Sequence, residues 1–159
     1  LILAFAACNV APAGFWKSYH KDLLLKEIND QGPYGGHRAI YWKAGKTNIF
    51  RASDFISFAQ KNGWALIDSL TFTHEQTNKW TYNNKAIFPL TSAGFSDSVL
   101  NSNELEHFPR WFGGQVKVYK FQTGWITIQP GTDDSIAENG FVVVNSNGTE
   151  MAVYHLWGE

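Results

Sequence analysis

Phe141-Val142-Val143-Val144-Asn145 and Glu150-Met151-Ala152-Val153-Tyr154-His155-Leu156-Trp157 flank a turn containing Asn147-Gly148, the strongest hairpin signal in the chain. The pair suits a tight reversal because Asn tolerates positive φ and Gly adopts it without steric cost. The same reasoning extends upstream. Trp80-Thr81-Tyr82 and Lys85-Ala86-Ile87-Phe88 flank Asn83-Asn84, and Gln115–Gln122 and Trp125–Gln129 flank Thr123-Gly124. The second half of the chain therefore reads as successive hairpins, with an irregular stretch holding one short helix from Phe95 to Phe112 and a loop from Pro130 to Gly140.

The first half carries helical signals. Trp16, Tyr19, Leu23, Leu24 and Ile28 recur at three- and four-residue spacing, which predicts an amphipathic helix from Phe15 to Asp30, stopped by Gly32-Pro33. A strand is expected over His37–Lys43, rich in Ile40, Tyr41 and Trp42. A second helix follows, with Ser53 as its N-cap, Phe55, Ile56 and Ala59 on one face, and a stop at Asn62-Gly63. Trp64–Thr73 then alternates Trp64, Leu66, Leu70 and Phe72, interrupted by Asp68, as a strand with one buried side. These pieces make a β-α-β unit. The fold class expected is α+β, a mainly antiparallel sheet with about two helices packed on one face.

Composition narrows the function classes. The chain has 159 residues, 44% hydrophobic and 16% aromatic, enough for one domain with its own core. Net charge is −1, so no excess of Lys and Arg is present to neutralise a run of phosphates, and nucleic acid is not an expected partner. All 13 Lys and Arg precede residue 121, and the five acids that follow, Asp133, Asp134, Glu138, Glu150 and Glu159, meet no base in sequence. If the strands interleave, that asymmetry disappears. One cysteine, Cys8, leaves no intramolecular disulfide and no Cys-rich zinc site.

The apolar run Leu1-Ile2-Leu3-Ala4-Phe5-Ala6-Ala7 ends in small residues just before Cys8, and Asn9-Val10-Ala11-Pro12-Ala13-Gly14 follows. It is far shorter than the ~20 residues that span a bilayer. This segment resembles the lipobox of bacterial lipoproteins. The resemblance covers about the first ten residues and implies that residues 1–7 are a signal-peptide remnant. It implies further that Cys8 carries diacylglycerol and palmitate, that 8–14 form a tether, and that 15–159 are a single globular domain. Asn9 is not the Asp that retains such lipoproteins in the inner membrane, which implies outer-membrane attachment facing the periplasm or the cell surface. The membrane is then a partner through the lipid on Cys8.

The search for chemistry yields modest candidates. His74-Glu75 starts like a metalloprotease helix, but Asn78 stands where the second His is needed, and the segment reads as a turn; no metal is expected. Glu104, Glu106 and His107 are a weak catalytic set, in which an acid could raise the imidazole pKa toward that of a working base. Ser96 lacks the second glycine of a nucleophile elbow, and Asp133, Asp134 and Glu138 lack the alternation of a calcium loop. No dinucleotide or phosphate loop is present, and no cofactor is expected. The aromatic load of seven Trp, six Tyr and 12 Phe stands out. Most must be core. Trp80, Tyr82, Arg110 and Trp111 are the candidates for partner binding, because turns place their flat rings beside hydrogen-bonding neighbours. The expected function is a lipid-anchored envelope domain that binds a protein or glycan; an envelope hydrolase using the His/Glu pair, or an inhibitor of the immunity type, are the alternatives.

Overall fold

A computed structural model describes residues 12–31, 35–91, 94–95, 108–124, 127–128, 135–136 and 138–158. Two 3-10 turns, Gly14–Ser18 and Lys21–Leu23, lead into β1 (Leu24–Gln31) and β2 (Gly35–Lys43). Helix α1 (Ala52–Lys61), β3 (Ala65–Phe72) and the one-turn helix α2 (His74–Asn78) follow. Four two-residue strands come next, β4 (Thr81–Tyr82), β5 (Lys85–Ala86), β6 (Leu90–Thr91) and β7 (Gly94–Phe95). The chain ends with β8 (Val116–Gln122), β9 (Thr127–Ile128), β10 (Ser135–Ile136), β11 (Gly140–Asn145) and β12 (Glu150–Gly158).

The fold is α+β. Its main sheet runs β1-β2-β12-β11-β8-β3, every neighbour antiparallel, with β9 attached to β12 and β10 to β9. The β11–β12 hairpin is its centre. Phe141 to Val144 are all buried, because a strand paired on both edges and covered on both faces needs apolar side chains in succession. One row, Ile40, Val153, Val142 and Tyr119, faces α1; the next, Tyr41, Ala152, Val143 and Val118, faces the other way. Phe55 and Ala59 of α1, with Trp16, Tyr19 and Trp64, close the first face. Phe72, Trp80, Phe88, Leu90, Phe108 and Phe112 close the second. The sheet is thus covered on both sides, as a mostly antiparallel sheet accompanied by two α-helices.

Several expectations change. The helix read over Phe15–Asp30 is two 3-10 turns followed by β1. His20, at φ 39°, interrupts any continuous helix, and residues 24–31 instead satisfy their backbone by pairing with β2. Long-range pairing overrides the local period. Pro12 and Ala13, within the segment read as a tether over 8–14, are buried. Helix α1 starts at Ala52 with Arg51 at the N-cap, and Ser53, inside the first turn, donates to Asp54 Oδ1 at 3.0 Å. In β3 the expected one-sided burial fails: Leu66, Ile67 and Leu70 are exposed, and only Phe72 is buried. A bulge between Leu66 and Asp68 is the reason, since it sends Leu66, opposite Phe121, and Leu70, opposite Val118, to different faces of an edge strand.

Strands β2 and β3 point the same way but stand apart, with β12, β11 and β8 between them, so α1 crosses over three strands. The Asn83-Asn84 turn forms as expected, with φ 48° and 62°. Among the described residues the Thr123-Gly124 turn does not close a hairpin: β9 pairs with β10 and β12, and β8 with β11 and β3. His74 opens α2 rather than a turn, capped reciprocally by Thr73 and Gln76. The loop read over Pro130–Gly140 contains β10. The acids of the last segment interleave with the bases: Glu138 pairs with Lys120 at 3.4 Å and Glu150 with Lys43 at 3.7 Å.

Gly140 begins β11 beneath Trp64. A Cβ there would lie 2.5 Å from Thr123 Cγ2 and 2.7 Å from Trp64 Cζ3. Gly140→Ala is expected to lower the unfolding free energy by about 1–3 kcal/mol in urea titrations. Gly45→Ala, where a Cβ meets nothing within 4 Å, is expected to change it by less than about 0.5 kcal/mol.

Candidate functional site

The segment 108–112 runs beside 86–88: Phe88 N donates to the Phe108 carbonyl at 2.7 Å and Arg110 N to the Ala86 carbonyl at 3.1 Å. This brings Trp80, Arg110 and Trp111 together, with different fates. Trp80 is 1% exposed, packed between Phe72, Phe88 and Phe95, so its ring offers nothing to a partner. Arg110 is turned inward, its Nη1 donating to the Phe112 carbonyl at 3.0 Å and its Nη2 to that of Trp80 at 3.5 Å; burial lowers its pKa. Trp111 is half-buried, nearly parallel to Tyr41 and Tyr154 at centroid distances of 5.5 and 6.1 Å. Tyr82, also half-buried, sits in the β4–β5 hairpin. Of the four residues Trp80 is closed off, while Tyr82, Arg110 and Trp111 are half-buried, the Arg110 guanidinium being engaged by backbone carbonyls. Cys8, Glu104, Glu106 and His107 lie outside the described residues.

At the Gly140 end of the sheet a buried polar group was not legible in the sequence. Thr123 Oγ1 donates to Asn139 Oδ1 at 2.7 Å and lies 3.3 Å from His155 Nε2. Because the hydroxyl proton is directed to Asn139, the imidazole is placed to donate to Oγ1 from Nε2 rather than to act as its base. All three side chains are buried. Next to His155 in register stands Arg38, 3.1 Å from Glu27, which Lys17 also reaches at 3.1 Å. Burial, reinforced by the Arg38 charge, pushes the His155 pKa down to about 3. The set is structural. Among the described residues no three His, Cys, Asp or Glu side chains gather as a metal site, and no helix is long and apolar enough to cross a membrane.

The opposite end holds a cleft of about 340 Å³. Its floor is Phe55, Tyr119 and Val144, with Phe55 edge-on to Tyr119 at 4.9 Å. Polar side chains from separate segments line it: Asn48, Arg51, Gln115, Lys117 and Asn145, and none of its lining residues is acidic. The β11–β12 turn fixes this geometry. Phe50 N donates to the Gly148 carbonyl at 3.0 Å, Asn48 N to that of Asn147 at 2.8 Å, and Ser146 N to that of Gln115 at 3.2 Å. Gly148 is required there: φ is +67°, and a Cβ would lie 3.1 Å from Asn48 Cα. Arg51 Nε donates to the Asn48 carbonyl at 3.0 Å, which orients the guanidinium, and Lys117 Nζ lies 5.2 Å from the Tyr119 ring centroid. Neither cation has an ion pair among the described residues. The first turn of α1 has no side-chain cap, and Asp54 within it offsets the positive end of the helix. A carboxylate or phosphate is the group such a lining can hold. Sequence reading missed these residues because they are far apart in the chain; the one local sign was a helix start with Arg51, rather than a capping side chain, before Ala52.

Two measurements follow. Trp80→Ala is expected to cost about 3–5 kcal/mol and Trp111→Ala about half as much, read from urea midpoints, since only the first empties a closed core site. His155 is held neutral in the fold while the unfolded chain takes up its proton below about pH 6.5. Stability is therefore full above that pH and is lost at up to about 1.4 kcal/mol per pH unit as pH falls from 6.5 toward 3. Unfolding between pH 7.5 and 5 reads this slope, and His155→Gln is expected to flatten it. Comparison of the chain with family models, with curated proteins and with solved structures finds no match.

Proposed function

We propose that this chain is a lipid-anchored domain of the bacterial cell envelope that binds a protein or glycan partner through an acidic group of that partner. The lipobox-like segment ending at Cys8 supports the anchor. The observation that carries the binding reading is the cleft, where Arg51 and Lys117 stand with amide side chains and no carboxylate. Arginine presents a planar fork that fits a carboxylate or phosphate with two parallel hydrogen bonds, and Lys117 adds a mobile point charge. The lining favours binding over catalysis because amides and protonated cations hold an anion but cannot abstract its proton at neutral pH. Glycans of the envelope and acidic protein surfaces both present such groups. Trp111, packed on the opposite face of the sheet, and Tyr82 are not among the residues that line this cleft.

Titration calorimetry with muropeptides, which bear free carboxylates, is expected to show binding that neutral oligosaccharides of similar size lack. The double substitution Arg51→Glu, Lys117→Glu is expected to weaken it by about tenfold or more while leaving stability within about 0.5 kcal/mol, both side chains being exposed. Equal affinity of the double variant would remove the cleft from the reading. For the anchor, radiolabelled palmitate is expected in the wild-type precursor and absent from Cys8→Ser.

A further inference from the structure

The described residues begin at Pro12, which is buried and stands only four residues after Cys8. An extended chain advances by at most about 3.5 Å per residue, so Cys8 lies within about 14 Å of Pro12. The surface beside that point has a distinct chemistry. Gly14, Phe15 and Leu24 form a shallow, mainly apolar depression of about 460 Å³, edged by Lys17 and Lys21. Next to it the edge strand β1 bulges between Leu24 and Lys26, and Leu25, at 57% exposure, is the most exposed of the large apolar side chains among the described residues. The exposed cations Lys17, Lys21 and Lys26 stand around it with the acids Asp22 and Glu27, and Glu27 is engaged by Lys17 and by the buried Arg38.

Resting on the reading of Cys8 as an acylated anchor, we infer that this surface, Phe15, Leu24 and Leu25 edged by Lys17, Lys21 and Lys26, lies on the anionic leaflet of the membrane that holds the protein. Three facts converge. The tether is too short to lift this end of the body clear of the headgroups. The exposed Leu25, beside the half-buried Phe15 and Leu24, suits the boundary between headgroups and acyl chains, and lysines with long apolar stems keep their ammonium groups among lipid phosphates. The anchor then does more than confine the domain: it sets which side faces the membrane and which faces outward.

The single cysteine allows a direct test. The full chain is coupled through Cys8 to a maleimide lipid in vesicles of phosphatidylglycerol and phosphatidylcholine, and amide hydrogen exchange is compared with that of the uncoupled chain. Exchange over residues 21–28 is expected to slow by about fivefold or more. Lys21→Glu with Leu25→Ser, both exposed, is expected to restore the free rate while leaving exchange in β8 and β11 at its wild-type level, which shows that the variant is folded. Over β3, whose Leu66, Ile67 and Leu70 are also exposed, no change is expected. Unchanged exchange at 21–28, equal slowing at β3, or protection already complete in the uncoupled chain, as when residues 1–11 or a second copy fill the depression, overturns the inference. Slowing of the same size on pure phosphatidylcholine overturns its anionic preference. Intact mass of the native protein separately reads acylation: a bare thiol at Cys8 defeats the anchor, and acylation with unchanged exchange defeats only the orientation.

Discussion

Strand β11 has a hydrogen-bonded neighbour on each edge and a covered core on each face, and most of the molecule is arranged around that double burial. Val142 and Val144 look toward α1 and the Trp16, Trp42 and Trp64 rings, and Phe141 and Val143 toward Phe88, Trp80 and Tyr154. A strand in this position has no solvent side on which to place a polar residue, so a packing defect there is felt in both layers at once. Gly140 is its one opening, and Trp64 and Thr123 have already taken the space. The same strand separates the two polar regions, with the sealed Thr123, Asn139 and His155 group near its start and the open cleft past its end at Asn145.

The aromatic load makes sense as the cover of this sheet. On the second face Phe88, Tyr154 and Trp111 lie nearly parallel, with interplanar angles of 9° and 11° between neighbours. Tyr41 stacks beside Trp111 and ends the series with a short bond from its hydroxyl to Glu150 Oε1. Stacked and edge-on rings fill volume with few rotatable bonds, which lets segments with little regular secondary structure, such as 108–114, hold a defined position. On the first face Trp42 Nε1 donates to the Tyr19 carbonyl at 2.8 Å, tying the N-terminal 3-10 turns to the sheet. Those turns and the start of β1 carry the surface proposed to meet the membrane, so its orientation would be that of the core itself.

The turn at Asn147-Gly148 links fold to function. It sets the register of β11 against β12, and its carbonyls also receive the amides of Asn48 and Phe50, which places Arg51 at the rim of the cleft. Asn145 consolidates the arrangement by accepting from Thr149 N and Glu150 N. An anion bound between Arg51 and Lys117 would thus meet a rim braced by the two central strands rather than a free loop.

Local chemistry in the sequence determined the hairpins at Asn83-Asn84 and Asn147-Gly148, the strand over 37–43, the helix that stops at Asn62-Gly63 and the α+β class, because positive φ and hydrophobic alternation are properties of a few neighbouring residues. Tertiary structure alone decided the rest. Residues 24–31 became a strand because the edge of β2 could satisfy their amides, although their apolar spacing suits a helix as well. The bulge after Leu66 and the burial of Trp80 depend on what lies across the sheet, and the cleft exists only where residues 48, 51, 115, 117 and 145 are brought together. No spacing in one dimension encodes such a meeting, since it is the register of β8, β11 and β12 that produces it.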